Sequence, residues 1–193
     1  MTFTASAEII RYLNADPVLL DVEYGTNLIT PEILKKAIQD HPDVKYLVIV
    51  HFGGQAAPMT VTEGKGILDI CKKNGIKILE DAAHAFPTRL NGNMIGSFGD
   101  ITCFSFYANK TITTGEGGML TTNNDKIYAR VKTMRLHGIN RDIWDRFTST
   151  KPSWEYDVVE AGYKYNMPDI NAAIGLAQLE ESGRIQKRTS NSG

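Results

Sequence analysis

The sequence predicts an α/β fold with a mostly parallel sheet and helices on both of its faces. Three observations carry that prediction. Short apolar runs alternate with amphipathic stretches through the first two thirds of the chain. The runs hold few polar residues, as strands buried on both faces do. Acidic, histidine and glycine residues collect at the ends of the runs, on the edge where right-handed crossovers gather the carboxyl ends of parallel strands.

The elements follow in order. Residues 17–22 form the first apolar run and read as a strand. Thr30 before Pro31, with apolar residues at 33, 34, 37 and 38, marks a capped helix. Tyr46–Val50 is the second strand. A helix around 66–71 stops at Asn74-Gly75, and the shorter strand 76–79 follows that turn. Residues 100–106 read as a further strand, a loop carries Lys110, and Gly115-Glu116-Gly117-Gly118 turns into a strand over 119–122. Asn124-Asp125 can cap a helix running to about Leu136. Residues 138–166 show no sustained periodicity and include Trp144, Pro152 and Trp154; an irregular stretch of that length usually serves function or a partner. A last helix starts near Pro168-Asp169 and runs through Leu179.

Bulk properties exclude several classes. The chain has 193 residues, 42% hydrophobic and 22% charged, which is the balance of a soluble domain able to bury a core. A formal net charge of -1 gives no electrostatic reason to expect nucleic acid or an anionic membrane. Cys71 and Cys103 have neither ligand spacing nor a disulfide framework, and no pair of histidines or cysteines has chelating spacing, so no metal site is expected. The first residues lack a basic region followed by an apolar stretch, and no apolar run approaches the roughly 20 residues of a membrane span. A cytoplasmic chain is the expectation.

Asp81 and Lys110 carry the chemistry. Each sits at the end of a strand expected to be buried, within Glu80-Asp81-Ala82-Ala83-His84-Ala85 and Phe104-Ser105-Phe106-Tyr107-Ala108-Asn109-Lys110. A carboxylate and an amine that can face one site suit pyridoxal 5'-phosphate (PLP). That cofactor needs a lysine to hold its aldehyde as a Schiff base and an anion to keep its ring nitrogen protonated. Simpler readings stand beside this one. A loop lysine is ordinarily a surface residue, Asp81 could cap the next helix, and Glu80 could serve solvent exposure. His84 could be structural or reach the cofactor's phenolic oxygen. Ser105 and the amides near Gly117-Gly118 could bind a phosphate. His51-Phe52-Gly53-Gly54-Gln55 is either a turn or a place where backbone approaches ligand. There is no phosphate loop, no nucleophile elbow and no complete dinucleotide fingerprint.

Together these segments resemble a known family. Residues 80–85, 104–110 and the Gly115–118 turn, with His137-Gly138 and the stretch 162–173, are similar to the DegT/DnrJ/StrS sugar-nucleotide aminotransferases. The resemblance implies the central part of the large domain of fold type I PLP-dependent transferases: a partial cofactor-binding domain over 1–183 and a frayed tail over 184–193. It implies that Lys110 carries the cofactor and shuttles protons, and that Asp81 pairs with the pyridine nitrogen. Ala83 and His84 would bind the cofactor, His84 near its phenolic oxygen, and Ser105 would touch the phosphate. His137, Lys164 and Asn166 would contact substrate or the partner subunit of a homodimer. The implied reaction moves an amino group from glutamate to a keto sugar nucleotide.

Relatives carry further sequence at both ends, including a phosphate-binding turn, a stacking aromatic residue and a smaller C-terminal domain. Pro58 stands where many of them have an acidic residue. A second reading is therefore a non-catalytic remnant or interaction module from a split or degraded gene. A sugar dehydratase of the same superfamily is disfavoured by Lys110, because the resembling dehydratases replace that lysine.

Overall fold

Three parallel strands and an antiparallel fourth form the sheet that positions the site. In the computed structural model, residues 1–61, 65–140 and 156–190 are described, the last eight of them as helix backbone. The chain divides into two compact units, residues 1–122 with 170–193, and residues 123–169.

In the first unit, helix α1 (Ala5–Tyr12) is followed by α2 (Pro31–Asp40), β1 (Tyr46–Val50) and a 3-10 turn over Phe52–Gly54. Then come α3 (Ile67–Asn74), β2 (Lys77–Asp81) and the two-residue strands β3 (Arg89–Leu90) and β4 (Asn93–Met94). β5 (Ile101–Ser105) and β6 (Gly118–Thr121) complete the sheet. The last helix, labelled α5 below, covers Asp169–Ser190, and α4 (Asp125–Met134) lies in the second unit. The sheet order is β1-β2-β5-β6, with β1, β2 and β5 parallel and β6 antiparallel to β5.

Local chemistry accounts for the helix ends. The Thr30 hydroxyl accepts the Ile33 N–H and Pro31 begins α2, while Asn124 accepts the N–H groups of Lys126 and Ile127 at the start of α4. Gly75 ends α3 with φ 67°, a left-handed conformation that glycine adopts without strain. Leu34 of α2 and Ile67, Ile70 and Cys71 of α3 pack with Leu47, Ile49 and Ile78 of β1 and β2 in the main core. Burial and the charge of Asp100 push the Cys71 thiol up to about 11, so it behaves there as a small apolar side chain.

Several expectations change. Residues 17–22 are not a strand: the segment is irregular, Leu19 is 77% exposed, and of this run only Leu20 packs against the core. A short apolar run becomes a strand only if a neighbour accepts its backbone bonds, and among the described residues β1 pairs with β2 alone. The sheet is mostly parallel, as expected, with β6 the antiparallel member. Helix α1 and the β3–β4 hairpin were not anticipated. The irregular stretch expected over 138–166 includes 141–155, which lie outside the described residues, as do 191–193 of the expected tail; α5 itself continues to Ser190.

Candidate functional site

The carboxyl ends of β2 and β5 deliver the chemistry-bearing residues. Asp81 closes β2 and pairs in register with Cys103 of β5, so their side chains share a sheet face, and Ser105, two residues on, shares it too. Burial raises the Cys103 thiol, and the Asp81 charge adds to that rise, as expected for side chains on one face. Beyond β5 the chain makes a turn in which the Lys110 N–H donates to the Tyr107 carbonyl at 3.0 Å. That turn sends Lys110 back toward the loop after β2. There its Nζ lies 2.7 Å from His84 Nε2. An ammonium has only donors, so the His84 nitrogen accepts this bond.

A single cleft is lined by Ala83, His84, Ser105 and Lys110, together with Phe86 and Asn109 among others. Four of the expected cofactor residues therefore meet in one place. Asp81 does not line this cleft but is tied to it through Ala83, and its carboxylate is engaged on both oxygens: Oδ1 accepts the Ala83 N–H at 3.1 Å and Oδ2 accepts the Ser6 hydroxyl at 2.6 Å. The Ser105 hydroxyl accepts the Tyr107 N–H at 3.3 Å.

The glycines around the site serve close packing. A Cβ on Gly54, whose φ is 87°, would stand 2.8 Å from the His84 carbonyl oxygen, so the turn after β1 can press against the His84 loop only without a side chain. A Cβ on Gly118 would stand 2.7 Å from the Phe104 carbonyl. The Gly117-Gly118 pair lets β6 approach β5, and the Phe106 N–H donates to the Gly117 carbonyl at 2.8 Å.

Glu80, expected to suit a solvent-facing position, is fully buried. Its Oε2 accepts His51 Nε2–H at 2.9 Å, and Oε1 accepts the Gly99 N–H at 2.6 Å and the Thr102 hydroxyl at 2.7 Å. The other ring nitrogen of His51 accepts the Ala57 N–H at 3.0 Å, which assigns the ring proton to Nε2. Burial alone would raise the Glu80 carboxyl; the bonds from His51, Gly99 and Thr102 outweigh it and hold the group below its ordinary value. Asp81 and Glu80 thus point to different tasks, one at the site and one beneath it.

The remaining expected residues belong to the second unit and form a group there. The His137 N–H donates to the Tyr163 carbonyl at 2.7 Å, Leu136 and Lys164 form an antiparallel bridge, and the Lys164 ammonium donates to the Asn166 side-chain oxygen. Tyr163 and Tyr165 stack with ring centroids 5.0 Å apart.

Residues 1–192 match the model of the DegT/DnrJ/EryC1/StrS aminotransferase family. The chain belongs to that family. The spore coat polysaccharide biosynthesis protein SpsC of Bacillus subtilis is 43% identical over 188 residues, which are 97% of this chain and 46% of SpsC. Among solved structures, the PMP-form of the putative sugar aminotransferase Spr1654 from Streptococcus pneumoniae is similar with a TM-score of 0.80 and 31% identity, covering 99% of this chain and 51% of that one. Helicobacter pylori PseC, an aminotransferase involved in the biosynthesis of pseudoaminic acid, gives a TM-score of 0.82 at 28% identity, covering 98% and 47%. The chain spans about half the length of these DegT/DnrJ/EryC1/StrS relatives. The family's cofactor is PLP, and the donor set at the strand ends has the chemistry that PLP needs: an amine for its aldehyde, a carboxylate for its ring nitrogen, and an imidazole and a hydroxyl beside them.

Ser6, Phe86 and Asn109 were not singled out from sequence. Asn109 adjoins Lys110 and Phe86 follows the His84 segment, so proximity to a motif was an available signal. Ser6 offered none, because its contact with Asp81 spans 75 positions.

Proposed function

We propose that this chain carries the cofactor-binding centre of a PLP-dependent sugar aminotransferase that moves an amino group from glutamate to a keto sugar nucleotide. The observation that supports it most is the meeting of Lys110 Nζ with His84 Nε2 at 2.7 Å in a cleft also lined by Ser105 and Ala83. When bound, PLP supplies an electrophilic aldehyde and an electron-withdrawing ring. Lys110 tethers it covalently and afterwards carries protons at Nζ, with His84 orienting that nitrogen through its own Nε2. Asp81 holds the ring nitrogen in its protonated form, and Ser105 donates to the phosphate. His137, Lys164 and Asn166 serve substrate or a partner subunit, in a homodimer working in the cytoplasm. The names of SpsC and PseC support a role in polysaccharide or amino-sugar biosynthesis.

Borohydride treatment of the chain with PLP tests the reading. The expected result is a cofactor mass fixed on the Lys110 peptide, an absorbance band that disappears in Lys110→Ala, and release of 2-oxoglutarate when glutamate is added. A band unchanged in Lys110→Ala would sink the assignment of the tether. A band on Lys110 with no 2-oxoglutarate would leave a binding module in place of an enzyme.

A further inference from the structure

Ser6 is the one buried residue of α1, and the site it faces is Asp81. Its hydroxyl lies 2.6 Å from Asp81 Oδ2 and 2.8 Å from the Thr2 hydroxyl. A carboxylate oxygen can only accept, so the Ser6 proton is committed to Asp81 and the Thr2 hydroxyl donates to Ser6 behind it. The second carboxylate oxygen is held by the Ala83 N–H at 3.1 Å.

These two donors come from distant parts of the chain, and together they fix the carboxylate plane. The last torsion of an aspartate is broad when nothing holds it. Here a turn would break one bond or the other. Each oxygen still keeps a second lone pair, so a carboxylate held in this way can accept from a cationic ring nitrogen. A hydrogen bond to a charged acceptor is also among the stronger ones.

We propose that Ser6 is a positioning residue: its hydroxyl sets the orientation in which Asp81 meets the ring nitrogen of PLP. This rests on the reading of Asp81 given above. Ser6 acts through Asp81. Ser6→Ala removes the donor and frees the carboxylate to rotate, and Ser6→Thr keeps a hydroxyl at the same place.

The test uses the full chain and two independent readouts. Without cofactor, the carboxyl-carbon resonance of Asp81 and the amide resonance of Ala83 are expected to move in Ser6→Ala and to return in Ser6→Thr. With PLP, Ser6→Ala is expected to bind about tenfold more weakly, the size of one charge-assisted bond. The pH dependence of the bound cofactor's absorbance should shift as well. Ser6→Thr should restore both, and the affinity lost in Ser6→Ala should exceed what any lowering of its thermal melt accounts for. Resonances unmoved by Ser6→Ala in a chain that binds PLP overturn the proposal alone. So does a Ser6→Ala protein that binds PLP with wild-type affinity and spectrum, or one whose losses track a lowered melt and are not restored by threonine. Resonances that respond in a chain whose wild type takes up no PLP overturn the reading of Asp81, and the positioning role falls with it.

Discussion

At the scale of single residues, Glu80 and Asp81 show how two adjacent carboxylates part company. Alternation along β2 sends them to opposite faces, one into the protein and one to the strand-end site. Glu80 gathers three donors, and through His51 it ties the turn after β1 to the start of β5. Removing Glu80 leaves three donors around a buried position without an acceptor, each worth about 1–3 kcal/mol, so Glu80→Ala should cost at least about 3 kcal/mol in urea unfolding. The pH dependence has a definite sign. A carboxyl held below its ordinary 4.5 contributes its full stability above that value and loses it as pH falls through the lower folded value. Glu80→Gln cannot titrate, so the stability gap between it and the wild type should narrow as pH drops below 4.5. A gap that stays flat or widens on acidification would refute the ionised, hydrogen-bonded state of Glu80.

At the scale of elements, the loop that follows Lys110 is held from outside by helix α5. Gln178 Oε1 accepts the Thr113 N–H at 3.0 Å while its Nε2 donates to the Thr113 carbonyl at 2.6 Å. Asn171 Nδ2 donates to the Thr114 carbonyl at 2.7 Å. Residues 171 and 178 are about two helical turns apart, so one stripe of α5 makes both contacts. Gln178→Ala leaves the Thr113 amide and carbonyl without these partners and should cost about 1–3 kcal/mol. Hydrogen exchange at the Thr113 amide should speed up more than the global loss explains; exchange at the unmutated rate would mean that α5 does not hold the loop. The helix itself was legible in the sequence, as were α2, α3 and α4, because caps, glycine stops and apolar spacing are local signals. What α5 does to the loop was not legible, since it depends on contacts 55 to 65 positions apart. The same distinction explains the errors at this scale. The β3–β4 hairpin does carry a local signal, the Asn91-Gly92 pair: both adopt positive φ, as an Asn-Gly turn between short strands does. The failed strand over 17–22 had the right composition but does not pair with the outer edge that β1 leaves open, and no local pattern reveals that.

At the scale of the whole molecule, the meeting of Lys110, Ala83, His84 and Ser105 in one cleft has a simple origin, since parallel strands collect their carboxyl ends on one edge whatever lies elsewhere. The buried Glu80–His51 pair and the Ser6 contact escaped, since burial and long-range bonds are properties of the assembled sheet. The exposed apolar residues of α5 carry the remaining consequence. Ile170, Ile174, Leu176 and Leu179 are 77%, 45%, 62% and 49% exposed, and they flank the Asn171–Gln178 stripe on both sides. Apolar residues exposed on two sides of the first half of α5 form a patch, and extended apolar patches mark association surfaces in soluble proteins. The homodimer proposed above would give them cover. The purified chain should therefore self-associate, with a sedimentation coefficient that rises with concentration. Leu176→Lys combined with Ile174→Lys should shift it toward monomer while leaving the thermal melt near the monomer baseline, because neither side chain belongs to the buried core. A chain that sediments as a monomer at every concentration, or a double variant that associates as strongly as the wild type, would show that α5 is not where copies meet.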